Sequence, residues 1–354
     1  MSKSPTSLKH QPRLLECIPN ISEGQYENII QEVAKAVKAV SGVQLLHVDV
    51  GASANRTVFT FIGIPEAVVE AAFQLIKRTS ELIDMRNHQG EHPRMGATDV
   101  CPLVPYRGVS LEEAVGFSKE LGQRVGDELG IPVYLYEASA SQPHRKNLAH
   151  IRSGEYEGFR EKILHEDWKP DYGPAQFHPK AGQTVIGARD FLVAYNMNLN
   201  TTSVPIAKAI AAEIRESGKI KRIHGKKVLD AEGKAVRIPG KCKSLKAIGW
   251  YMEEFGIAQV STNLTNLRET SLEQAFEAAS ASAIRHGVKI TGSELVGLLP
   301  LTAMLQAGTY YEQQQSGPSN PSETELISLA IRRLGLDDLK PFDPRERIIE
   351  YQMR

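Results

Sequence analysis

Cysteine is scarce in this chain of 354 residues: there are 3, at Cys17, Cys101 and Cys242. They are odd in number, far apart and never spaced Cys-x-x-Cys, which excludes a disulfide framework and a thiolate zinc site. An excess of one charge sign is also missing. The 42 basic and 42 acidic residues cancel, so nothing in the balance points to nucleic acid or an anionic membrane as partner. No run approaches the roughly 18 apolar residues of a membrane span. The stretch Met1–His10 lacks the apolar centre of a signal peptide. The chain therefore reads as cytoplasmic. No Gly-x-Gly-x-x-Gly follows a strand and no Gly-x-x-x-x-Gly-Lys-Ser/Thr occurs, so nucleotide cradling lacks its usual signal. The nucleophile elbow Gly-x-Ser-x-Gly is absent as well.

What is present is ordinary globular periodicity in two blocks, and the length suits two domains. Residues 1–12 read as a disordered leader. Arg13–Pro19 suits a first strand, and Ser22 with Gln25 has capping-box spacing before Ile29, Ile30, Val33, Val37 and Val40 at helical intervals. Val43–Val48 and Thr57–Ile62 read as strands. Pro65 opens a helix, Val100–Val104 is a short strand, Ser110 and Glu113 form a second capping box, and Ile131–Tyr136 is a strand. The order β-α-β-β-α-β-α-β belongs to an α/β sandwich. Residues 137–190 are polar and punctuated by Pro143, Pro170, Pro174 and Pro179; they read as a linker or an ordered bridge between halves.

The second block offers Phe191–Leu199 as strand, Val204–Arg215 as helix, and Leu245–Met252 with Ile257–Leu264 as a strand pair. Thr270 with Glu273 predicts a capped helix running to about His286, and Val288–Thr291 a further strand. That β-α-β-β-α-β order is the split βαβ, ferredoxin-like arrangement. Helices near Pro300–Tyr311 and Glu323–Leu334 follow. Lys219–Lys246 is an insertion with 10 Lys or Arg against 2 acids; it reads as a solvated hairpin turning near Glu232-Gly233, or as a docking site for a polyanionic tail.

The stretch Asn87–Asp99 has the wrong composition for a packed element. It holds two histidines, an arginine, two glycines and a proline, with Met95 its only large apolar side chain. Polar loops on rigid scaffolds are where function tends to sit, although a plain connection has the same composition. His88 and His92 stand four apart, which on a helix would suit zinc. Gly90 between them and Pro93 after them argue against a helix, and so against metal. Acid–base chemistry remains: His92 belongs to the residue type that exchanges protons near neutral pH. Asp49 at a strand end could stabilise a cation, orient a histidine or simply make a turn. Arg56 and Arg94 could grip substrate carboxylates or face solvent.

Ordered blocks along the chain carry a resemblance: Leu15-Glu-Cys-Ile-Pro-Asn-Ile-Ser-Glu-Gly24, Asn55-Arg-Thr-Val-Phe-Thr60, Gly90-Glu-His-Pro-Arg-Met-Gly96, Asp99-Val-Cys-Pro and Pro132-Val-Tyr-Leu-Tyr136. They continue with Gly173-Pro, Gly187-Ala-Arg, Ala258-Gln-Val-Ser-Thr-Asn263, Gly292-Ser-Glu-Leu-Val-Gly-Leu298 and Pro341–Tyr351. From about residue 13 to 351 the chain resembles the glutamate formiminotransferase family, free-standing or as the transferase half of formiminotransferase-cyclodeaminase.

The resemblance implies an α+β fold of two ferredoxin-like (split βαβ) α/β-sandwich subdomains, 13–182 and 183–354, flanking a ligand cleft in a homodimer. It implies transfer of the formimino group of N-formimino-L-glutamate to N5 of tetrahydrofolate, in histidine breakdown, with His92 catalytic and no metal. It places folate contacts on Gly173, Pro174, Ala175, Gln176, Phe177, His178, Pro179, Lys180, Ala181 and Gly182. Phe177 could pack on the folate rings or on the core. The insertion is longer than the resemblance leads one to expect. With no cyclodeaminase half, a separate cyclodeaminase is the expected partner. Formyl exchange between 5-formyltetrahydrofolate and glutamate, or folate binding without catalysis, are the alternatives.

Overall fold

In a computed structural model the protein is described over residues 12–52, 54–90, 92–315 and 320–353. The expected leader lies almost wholly outside the described residues. The chain forms two compact units, Met1–Asp190 and Phe191–Arg354.

In the first unit β1 (Leu14–Cys17) and β2 (Asn20–Ile21) lie between β4 (Arg56–Gly63) and β5 (Thr98–Arg107), and β3 (Val43–Gly51) pairs with the outer side of β4. All these pairings are antiparallel. With α1 (Glu27–Lys38) and α2 (Pro65–Leu82), they make the ferredoxin-like arrangement that the resemblance implied, within the α/β sandwich read from the element order. Alternation puts Leu15, Cys17, Phe59, Phe61, Cys101 and Leu103 on the helix side, packed with Val33, Val37, Val68, Ala72 and Ile76.

α3 (Leu111–Leu129) carries the expected capping box, with Glu113 N–H donating to Ser110 Oγ at 3.1 Å and Ser110 N–H to Glu113 Oε2 at 2.8 Å. The helix leads to β6 (Val133–Glu137). Three features differ from the sequence expectation. α1 begins at Glu27 and not at Ser22. Ser22 instead donates to the Gly96 carbonyl at 2.8 Å, while Glu23 accepts the Gln25 and Tyr26 amides at 2.8 and 2.9 Å. A tertiary contact thus takes the residue that local spacing marks as a cap.

The second difference is a strand within the supposed linker. β7 (Thr184–Ala188) lies between β5 and β6, parallel to both. All five residues are buried, so it shows none of the alternation by which a half-exposed strand is recognised. The first unit consequently runs to Asp190 and not to residue 182.

The third difference is that residues between β6 and β7 fold onto their own unit. α4 (Leu148–Ile151) and α5 (Glu155–Lys162) supply Ile151 and Phe159 to a cluster with Met95, Val100, Tyr134, Tyr136, Ile163 and Val185. Asp171 pins this cover, accepting from Leu135 N–H at 2.8 Å and from Arg145 Nη1 at 2.9 Å.

The second unit repeats the order. After β8 (Val193–Leu199) and α6 (Val204–Ile214) comes the basic insertion, with β9 (Lys219–Ile220) pairing β12 (Arg237–Ile238) and β10 (Arg222–Ile223) pairing β11 (Lys226–Lys227). Its expected turn exists: Leu229 bridges to Ala235, and Asp230 Oδ1 accepts from Glu232 N–H at 3.1 Å and Lys234 N–H at 2.8 Å. β13 (Leu245–Met252), β14 (Ile257–Leu264), α7 (Leu272–Arg285) and β15 (Ile290–Val296) complete the unit's sheet, in the order β13-β14-β8-β15. This is the ferredoxin-like order again. The cap of α7 is Ser271 with Gln274, one residue beyond Thr270 and Glu273. Thr270 Oγ1 instead donates to the Lys243 carbonyl at 2.7 Å. α8 (Leu301–Glu312) and α9 (Glu323–Leu334) pack on this core through Met304, Ala307, Ile327 and Ala330.

The cap of α3 gives a direct check on local design. Ser110→Ala removes a side-chain acceptor from the first turn and is expected to cost about 1 kcal/mol, read by urea unfolding. No change in midpoint contradicts the capping assignment.

Candidate functional site

The polar loop after α2 is irregular because its side chains bond to neighbouring segments instead of packing in a core. Asn55, in a left-handed turn at φ 47°, joins three segments. Its Oδ1 accepts from Gly24 N–H at 2.9 Å and its Nδ2 donates to the Gln89 carbonyl at 2.7 Å. His88 braces the same corner. Its Nε2 lies 2.9 Å from the Asn55 carbonyl and its Nδ1 accepts from Arg94 Nε at 3.2 Å. Both ring nitrogens are therefore engaged, and His88 does not pair with His92 as the helical zinc spacing suggested.

Arg94 is 8% exposed and fully spoken for. Glu157 takes its two terminal nitrogens at 2.7 and 2.8 Å, Glu155 lies at 3.1 Å, and the His88 carbonyl accepts at 3.2 Å. Glu157 in particular holds the guanidinium in its charged form. At the loop's far end Gly96 permits a close approach: a Cβ there would stand 2.1 Å from the Gln183 carbonyl oxygen and 2.7 Å from that of Ala181.

A bulge follows. Asn20 faces Val100 while Ile21 faces Thr98, so two steps on β5 match one on β2. Thr98 consequently reaches Thr79 of α2 at 2.6 Å, whereas Asp99 reaches the opposite side. There it accepts from Met95 N–H at 3.0 Å and pairs with Arg152.

His92 sits at the centre of this arrangement. Its Nδ1 lies 2.7 Å from the Pro93 carbonyl, a hydrogen bond made by the Nδ1–H tautomer. Arg56 Nη1 lies 2.8 Å from Nδ1 and also contacts Nε2, and Arg56 Nη2 contacts Asn20 Oδ1. Burial, followed by Arg56 and Arg152, pushes His92 down to about 4, against the opposing pull of Asp99. The imidazole is therefore neutral at physiological pH and does not titrate near neutrality, as its residue type suggested. Burial and Arg152 also bring Arg56 down to about 10, so it stays charged.

Asp49 lies opposite Val58 on β4, and Asn20 meets the same Val58 from the other side. Arg56 is two residues along β4 from Val58, so Asp49, Asn20 and Arg56 share one sheet face. The diagonal separation implied is roughly 7–8 Å between Cα atoms.

The bridge Gly173–Gly182 is split by environment. Gly173, Pro174, Ala175 and Gln176 are exposed. Phe177 packs on Tyr156 with ring centroids 5.1 Å apart, and Arg160 stands 5.3 Å from its ring. The Pro179 carbonyl accepts the Tyr156 hydroxyl at 2.5 Å. His178 Nδ1 accepts from Ala181 N–H at 3.0 Å. Lys180 Nζ donates to the Glu81 carbonyl at 2.6 Å. Ala181 accepts Ala97 N–H at 2.8 Å, and Gly182 lies against Met95 and Gly96. The bridge thus ends on the His92 loop. Sequence reasoning missed Asn20, Asn55, Asp99, Arg152 and Glu157 as site residues; only the clustering of the first three within the quoted blocks hinted at them.

Comparison with known proteins settles the family. The model of the formiminotransferase domain's N-terminal subdomain matches residues 14–189, and that of the formiminotransferase domain matches residues 194–354. This chain belongs to the formiminotransferase family. It is 46% identical over 301 residues to a glutamate formimidoyltransferase of Streptococcus pyogenes serotype M1, covering 85% of this chain and 94% of that one. It is 47% identical over 339 residues to the formimidoyltransferase-cyclodeaminase of Rattus norvegicus, covering 96% of this chain. The corresponding protein of Dictyostelium discoideum is 46% identical over 342 residues, covering 97% of this chain. The chain spans 60% of the length of each of these two cyclodeaminase-bearing relatives. No helix among the described residues is long and apolar enough to cross a membrane.

Two consequences are measurable. Arg94→Met leaves Glu157 and His88 without their partner and is expected to destabilise the protein by roughly 1–3 kcal/mol in denaturant unfolding. His92 binds its proton at about pH 4 when folded, against about 6.5 in an unfolded chain. Its contribution is present above pH ~6.5 and is lost as pH falls through that interval. The stability of His92→Gln should therefore fall less steeply than that of the native protein between neutral pH and about 4; parallel curves would contradict the assignment.

Proposed function

We propose that this protein is a glutamate formiminotransferase, moving the formimino group of N-formimino-L-glutamate to N5 of tetrahydrofolate to give 5-formiminotetrahydrofolate and L-glutamate. The observation that carries this reading is a neutral imidazole beside a guanidinium with no carboxylate partner among the described residues, within a fold of this family. That pairing suits a donor with two carboxylates and a reaction requiring a proton to be taken and returned.

Attack of N5 on the formimino carbon forms a C–N bond and a tetrahedral centre. His92 removes the N5 proton and returns one to the glutamate nitrogen as its bond to that carbon breaks, so the ring ends as it began. Arg56 anchors a donor carboxylate through its fork of N–H groups. Arg94, held by Glu155 and Glu157, shapes the loop instead of touching substrate. Asp49, on the face shared with Arg56, supplies negative charge toward the amidinium. The exposed run Gly173–Gln176 offers a surface for the folate, while Phe177 and Lys180 hold the bridge in shape. His92, Asp49 and Arg56 need no metal for these steps. We take the working protein to be a cytoplasmic homodimer.

A turnover assay offering N-formimino-L-glutamate in one arm and formyl exchange in the other tests the reading. Formimino transfer should dominate, and His92→Ala should lower kcat by about 10²–10⁴. Formyl exchange alone, or undiminished turnover of the variant, would overturn it.

A further inference from the structure

We propose that Arg56 masks the His92 base in the ligand-free protein, and that a carboxylate of the arriving donor unmasks it by drawing the guanidinium away. The inference rests on the proposed transfer reaction for its purpose, but its geometry stands alone. Because Nδ1–H of His92 faces the Pro93 carbonyl at 2.7 Å, the ring's lone pair lies on Nε2. The group against Nε2 is Arg56 Nη1, which spans the ring edge to within 2.8 Å of Nδ1 and, as it can only donate, has its acceptor at Nε2. A lone pair accepting from a guanidinium is not free to take a proton from N5.

Arg56 is also the under-satisfied arginine of the site. Its Nη2 meets the neutral side chain of Asn20, and its buried Nε has no hydrogen-bond partner. Among the described residues no carboxylate lies within salt-bridge distance of it, whereas Arg94 holds Glu155 and Glu157, and Arg152 holds Asp99. A buried cation hydrogen-bonded only to neutral groups gains most from a bidentate carboxylate. The strongest unfilled attraction for a donor carboxylate is therefore the group that covers the base.

The charges facing His92 come from separate elements: Arg56 from β4, Arg152 from the end of α4, Asp99 from β5, and the Pro93 carbonyl dipole from its own loop. Asp99 and Arg152 are paired with each other. Arg56 is the uncompensated charge, so a donor carboxylate both uncovers Nε2 and removes the main charged opponent of imidazolium. The ring can then hold a proton long enough to return it to the leaving nitrogen. A neutral amidine meets a covered base, which makes the dicarboxylate a requirement for chemistry and not for binding alone.

The test is nitrogen NMR of the histidine rings in the full-length protein, with His92 assigned by His92→Gln. Glutarate serves as the probe because it carries the carboxylates and no transferable group. In the ligand-free native protein the ring should titrate at about 4. Saturation with glutarate should raise its proton affinity at least tenfold. Arg56→Gln should show the raised affinity without glutarate and no response to it, while Arg56→Lys, which keeps the charge, should titrate as the native protein does. An unmoved ring in the native protein at any glutarate concentration, or a native-like titration in Arg56→Gln, overturns the mask. Because this readout needs no folate and no turnover, loss of the transferase reading and loss of the mask are separate results.

Discussion

The irregular loop carrying His92 keeps its shape through the charged grip of Glu157 and Glu155 on Arg94. Apart from Met95 and Ala97 the segment buries almost no apolar side chain, so hydrophobic burial cannot specify its path. Charge-assisted hydrogen bonds do so instead. Arg94 in turn orients His88, whose other nitrogen meets the carbonyl of Asn55, the residue beside Arg56. One ion pair thus fixes both the loop that bears the imidazole and the strand end that bears its neighbour.

Three arginines near one histidine have been given different tasks by their partners. Arg94 and Arg152 have carboxylates of their own and behave as struts. Arg56 has only amide and imidazole partners and retains its capacity to bind an anion. The imidazole between them is neutral because burial and the adjacent positive charge act in the same direction. A neutral ring keeps a lone pair, the state that the proposed first proton transfer requires.

Much of the architecture was legible. Helical periodicity in α1, the box of Ser110 and Glu113, and the β-α-β-β-α-β order of the second block all reappear. The failures share one cause. Ser22 and Thr270 look like helix caps locally, yet each bonds a distant carbonyl, of Gly96 and of Lys243. β7 is invisible to alternation because both faces are covered. The cover between β6 and β7 reads as linker because its apolar residues are sparse and meet strands far away in the chain. His92, Asp49 and Arg56 could be named from the sequence, but the lowered proton affinities of His92 and Arg56 could not, since those depend on burial and on Arg152.

The sequence alone determined which segments become helix or strand wherever one face is wet, since apolar spacing records that exposure directly. It also determined the family, since ordered blocks of residues survive in one dimension. Tertiary structure decided which arginine lacks a carboxylate partner among the described residues, which histidine is a brace and which is held neutral beside a guanidinium, and where Asp99 points after the bulge in β5. Those outcomes depend on distances between residues remote in the chain, and electrostatic energy depends on distance and burial, neither of which a linear order contains.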